Sequence, residues 1–108
     1  MYHKVISILE NMSFKCVEGS NIKQYVEYTI SYTLLENKKW FDNIFNQCLL
    51  NSKNIMKTNN TYNGDTIEIL LIYDNPSILM SYKSHVFTIE SDEFLAYDRE
   101  IKLNKLGI

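Results

Sequence analysis

The chain has 108 residues, of which 45% are apolar and 22% charged, and a formal net charge of −2. A chain of this length buries about two-thirds of the surface its unfolded form exposes, enough for one core, and its composition excludes collagen-like, disordered and disulfide-dense classes. No run approaches the ~18 consecutive apolar residues of a membrane span, and no basic start leads into an apolar stretch, so the chain reads as cytosolic without a cleaved leader or membrane contact.

Residues 2–12 place Val5, Ile8, Leu9 and Met12 at helical spacing and predict a short helix. Residues 14–17 predict a brief strand, and Glu18, Gly19, Ser20 and Asn21 a hairpin turn, because Gly and Asn accept positive φ. The return strand has the clearest period of two: Val26, Tyr28, Ile30, Tyr32 and Leu34 alternate with Glu27, Thr29, Ser31 and Thr33. One face should be buried and the other wet. Tyr25 falls on the wet side, where an amphipathic ring serves as an interface anchor. If this strand is outermost, it offers an edge to a partner strand.

From Asn37 the period lengthens, with Trp40, Phe41, Ile44, Phe45, Cys48, Leu49, Ile55 and Met56 at steps of three and four. The spacing predicts one amphipathic helix that ends by Thr58, and a loop over residues 59–65 around Asn63 and Gly64. Residues 66–73 carry Ile67, Ile69, Leu71 and Tyr73 on one side and Leu70 and Ile72 on the other, which predicts a central strand covered on both sides over its second half. After a turn at Asp74, Asn75, Pro76 and Ser77, residues 78–90 predict a second strand. Its apolar phase shifts from Ile78, Met80 and Tyr82 to His85, Phe87 and Ile89, as one residue inserted near Lys83 and Ser84 would produce, so a bulge is expected there. Ser91 or Asp92 can cap a last helix with Glu93 in its first turn and an apolar face of Phe94, Leu95, Tyr97 and Ile101. The order α-β-β-α-β-β-α predicts one α+β domain over residues 1–108, an antiparallel sheet with helices packed mainly on one face.

Chemical signatures are sparse. His3 and His85 have no nucleophile, orienting acid or metal ligand beside them in sequence, and a structural role is the commoner one for such residues. Cys16 and Cys48 lack the short spacing of a metal site and lie in apolar segments, which reads as two buried, reduced thiols; on the stripe of the long helix, desolvation opposes a Cys48 thiolate. Gly19, Gly64 and Gly107 are isolated, so no phosphate-cradling loop exists, and a single arginine disfavours nucleic-acid recognition. No catalytic residue, cofactor or metal is expected.

Charge is distributed unevenly: residues 1–57 carry seven basic and five acidic side chains, residues 58–108 four and eight. Glu90, Asp92, Glu93, Asp98 and Glu100 cluster within eleven residues, opposed there only by Arg99, and with Tyr25 are the candidate partner-binding residues. The alternative is a solvated helix face whose acids favour its N-terminus. These features lead to an expected non-enzymatic protein that binds and blocks a cognate protein, as immunity or antitoxin-type inhibitors do, its partner being basic at the contact, for example a nuclease toxin. A secretion-chaperone-like homodimer holding a client effector is a second expectation. A small enzyme or ligand-binding domain built around His85, Cys16 and the tyrosines is a third, and oligomeric state is left open.

Overall fold

The computed structural model of the chain describes residues 2–17, 25–51, 56–57, 64–73 and 77–105. The first helix, α1 (His3–Asn11), buries Val5 and Leu9. It stops because Ser13 takes a left-handed φ of 72°. The Ser13 N–H then reaches Glu10 O at 3.0 Å and the Phe14 N–H reaches Leu9 O at 2.9 Å, a pattern that satisfies two terminal carbonyls. Phe14 and Leu9 are both buried, which supplies the apolar contact that accompanies such an ending.

Two strands follow, β1 (Lys15–Cys16) and β2 (Tyr25–Ser31), paired antiparallel with Cys16 opposite Tyr28. The expected turn at Glu18 to Asn21 lies outside the described residues. The alternation of β2 ends at Ser31, earlier than its sequence pattern predicts. Tyr32–Leu34 form a 3-10 turn instead, and Leu34, expected to face inward, is 70% exposed. The Tyr32 N–H to Asp65 O bond at 2.8 Å is still a rung of the β2–β4 ladder; beyond it the Asp65 carboxylate, which accepts from Ser31 Oγ at 2.8 Å, also accepts from Thr33 N–H at 3.4 Å and takes that amide out of strand pairing. The Asn37 side chain then caps the next helix, accepting from Trp40 N–H at 3.1 Å.

That helix, α2 (Lys38–Asn51), buries Trp40, Phe41, Ile44 and Cys48. It is shorter than its periodicity predicts, because Met56 belongs to a two-residue strand, β3 (Met56–Lys57), and Ile55 lies outside the described residues. The remaining elements are β4 (Thr66–Ile72), β5 (Ser77–Tyr82), β6 (His85–Ile89) and α3 (Ser91–Lys105). The expected bulge at Lys83 and Ser84 is a two-residue hairpin turn with Lys83 at φ 54°, which sets Tyr82 opposite His85. A bulge and a two-residue reversal shift the apolar phase identically, so periodicity does not distinguish them.

The six strands form one antiparallel sheet in the order β1-β2-β4-β5-β6-β3. The protein is thus α+β, and the order α-β-β-α-β-β-α is present with β3 added and the last strand divided. β4 is central as expected. β2 lies between β1 and β4, so it is not outermost and offers no free edge; the outer strands are β1 and β3. Val26, Tyr28, Ile30, Ile67, Ile69, Leu71, Ile78, Met80, Phe87 and Ile89 face the helices and share one core with Val5, Leu9, Trp40, Phe41, Ile44 and Phe94. The helices lie on that face alone among the described residues. Leu70 and Ile72, expected to be covered, point to the opposite side, where they are half-buried and no described helix lies over them.

Candidate functional site

The acidic group expected around α3 divides on inspection. Glu90, Asp92, Glu93 and Glu100 are exposed. Asp98 is not a surface residue: it is 5% exposed, its Oδ1 accepts from the Trp40 indole Nε1–H at 2.9 Å, and its Oδ2 meets Lys102 Nζ at 2.8 Å. The carboxylate fastens α3 to α2 beside the edge-to-face rings of Trp40 and Phe94. An acid four residues before a lysine on a helix is the pattern of a solvated ion pair; its partner across the core, a tryptophan far away in sequence, is what removes it from the surface. Glu93 lies near the Tyr97 hydroxyl and raises its pKa, while Asn51 lowers it. Burial, ahead of these contacts, raises the Tyr97 pKa.

Tyr25 is 39% exposed and lies on the opposite side of the molecule from the outward side of α3, because it belongs to the sheet face that no described helix covers. The register maps that face. One row across the strands runs Lys15, Thr29, Glu68, Ser81 and Val86, the next Glu27, Leu70, Leu79 and Thr88, and the third Tyr25, Ile72 and Ser77. Ile72, Leu70, Leu79 and Val86 form a diagonal apolar stripe, each half-buried. Glu27, opposite Leu70, and Glu68, two residues before it, border the stripe as diagonal neighbours with Cα atoms roughly 7–8 Å apart. Burial, and then the nearby Glu68 charge, push the Glu27 carboxyl above its ordinary pKa. Sequence reasoning placed Glu27 on a wet face but missed Glu68 as its neighbour, since the β2–β4 register is set by pairing between residues at least 35 apart in the chain and by no local signal.

On this face, towards the β1 edge, lies a cleft of about 390 Å³ lined by Ser13, Lys15, Thr29, Ile30, Ser31, Leu34 and Thr66. Thr29 Oγ1 donates to Ile67 O at 3.0 Å and keeps its lone pairs for a visitor, whereas Ser31 Oγ donates to Asp65 and is also bonded to Thr33 Oγ1 at 3.0 Å. Hydrogen bonds, with Ser31 the largest contributor, hold the Asp65 carboxyl below its ordinary pKa.

The residues weighed for other chemistry are dispersed. Cys48 is buried, and burial pushes its thiol pKa up to about 12. Cys16, expected to be buried, is exposed on the short β1 strand. His85 stacks on Phe87 at 5.9 Å and meets the edge of Phe45 at 5.6 Å, inside an aromatic group that also holds Tyr32, Phe41 and Tyr82. His3 is exposed on α1. Among the described residues no three His, Cys, Asp or Glu side chains gather as a metal ion requires, and no helix is long and apolar enough to cross a membrane. Compared with family models, curated proteins and solved structures, the chain matches none.

Proposed function

We propose that this chain is a non-catalytic protein-binding protein of the cytoplasm that blocks a cognate protein, in the manner of an immunity or antitoxin-type inhibitor. The observation that carries this reading is the sheet face opposite the helices. Its aliphatic stripe is covered by no described element, and Tyr25 stands exposed at its end. A contiguous apolar patch rimmed by polar residues is the usual mark of a protein contact. The carboxylates on both sides of the molecule add a preference for a basic partner, which charge complementarity would steer into contact.

The test is recovery of the tagged protein from its source cell in low salt, followed by mass measurement of what accompanies it. A stoichiometric basic protein is expected, released as salt is raised. A stoichiometric small molecule or metal in place of a protein would overturn the reading. The cleft at the β1 edge favours that second function, a site for a small ligand with an anionic group near Lys15 and an apolar part near Leu34.

A further inference from the structure

We propose that the cleft towards the β1 edge binds a small carboxylate with a hydrogen-bond donor beside its charge and an apolar far end, as in a 2-hydroxy acid or an N-acylated amino acid; this develops the small-ligand reading of the cleft and does not depend on the protein-binding one. The lining is laid across three strands. Lys15 on β1 stands opposite Thr29 on β2, Ser31 stands opposite Thr66 on β4, and Leu34 lies beyond the end of β2. At about 390 Å³ the cleft falls within the range of roughly 300–1,000 Å³ that small-molecule sites occupy. Lys15 is the only charged side chain of the lining; the carboxylates of Glu68 and Asp65 are not part of it. Among the described residues the Lys15 ammonium and the Ser13 hydroxyl have no partner, so both can donate to an anion. Thr29 sets the next requirement. Its hydroxyl proton is committed to Ile67 O at 3.0 Å, so Oγ1 can only accept and a visitor must bring an O–H or N–H. Because Thr29 faces Lys15 across the strand pair, that donor belongs close to the carboxylate. Leu34, 70% exposed on its 3-10 turn, is left to the apolar end.

Ser13 points to the same visitor. It holds a φ of 72°, a left-handed conformation that glycine adopts without cost and an L side chain does not. The bonds that end α1 there are made by the backbone and make no use of the serine hydroxyl. A serine strained at the rim of a cleft, its hydroxyl bonded to no described residue, serves a ligand better than it serves the fold. Ser13→Gly should therefore raise stability and lower affinity together.

N-acetyl-L-leucine is the probe, titrated into the full chain and followed by backbone amide NMR. Saturable shifts confined to residues 13–15, 29–31, 34 and 66 are expected, with a Kd of about 1 mM. N-acetyl-L-leucine amide, which lacks the charge, and 4-methylpentanoate, which lacks the donor, should each bind about fivefold more weakly. Lys15→Gln should weaken the probe about fivefold, and Thr29→Val about threefold while leaving 4-methylpentanoate unaffected, a selectivity that mere damage to the fold would not produce. Ser13→Gly, which is expected to fold better than the wild type, should bind the probe about threefold more weakly. Shifts that fail to saturate by roughly 20 mM, equal binding of the three compounds, or an affinity indifferent to Lys15→Gln and Ser13→Gly would overturn the proposal. Failure to recover a protein partner from cells would sink the protein-binding reading alone, and failure of the probe to bind would sink this site alone.

Discussion

Asp98 is worth more to the fold than to any surface. Replacing it with alanine strands the Trp40 indole N–H in the core and removes the Lys102 contact, so the variant should lose about 1–3 kcal/mol in urea unfolding. Asp92→Ala, at an exposed position of the same helix, should stay within about 0.5 kcal/mol of the wild type. Glu27 acts in the opposite sense. Its folded pKa lies above the ordinary carboxylate value, so ionisation costs the folded state stability at neutral pH. Glu27→Gln should therefore be more stable than the wild type at pH 7, and the difference should vanish as pH falls below the unfolded value of about 4.3. Equal melting temperatures for the two proteins at pH 7 would contradict this account. Asp65, held below its ordinary value, stabilises above the ordinary aspartate range and loses that contribution as pH falls through its lowered pKa.

At the scale of elements, most of the architecture was legible because it rests on local periodicity. α1, β2, β4 and the apolar face of α3 follow from spacing alone, and the inward residues of each form the core. The failures occur where a distant residue decides a local boundary. The Asp65 carboxylate takes up the Thr33 N–H just beyond β2, and pairing with β6 makes Met56 a strand residue instead of a helical one. The hairpin at Lys83 escaped because lysine is not the residue its positive φ favours. Ser13 poses the same question at the end of α1, where glycine would relieve a φ of 72°. Ser13→Gly should stabilise the protein by about 0.5–1 kcal/mol, read from thermal or urea unfolding; a loss of stability would mean that the serine side chain supports the cleft it lines.

On the scale of the whole molecule, the helices close one side of the sheet, and among the described residues no helix covers the other. The sequence carries that asymmetry in β2, whose polar residues alternate cleanly, but Leu70 and Ile72 obscure it by placing apolar residues on the open side of β4. An apolar residue on a wet face satisfies the same pattern as one under a helix, and only the register across β2, β4 and β5 shows that these side chains join Leu79 and the two glutamates. The candidate site was legible in part for the same reason. Tyr25, Glu90 and three of the four α3 acids are exposed as their positions implied, yet Tyr25 stands on the opposite side of the molecule from the acids and does not form one contact surface with them.

The measurement that bears most directly on the protein-binding reading is the affinity of the recovered partner for two double variants, Leu70→Ser/Leu79→Ser on the sheet and Asp92→Lys/Glu93→Lys on α3, compared at low and physiological salt. The sheet variant should bind at least tenfold more weakly at both salt concentrations, because contact is lost, while the helix variant should only associate more slowly at low salt. An unchanged affinity for the sheet variant with a loss confined to the helix variant would place the partner on α3 and contradict the account.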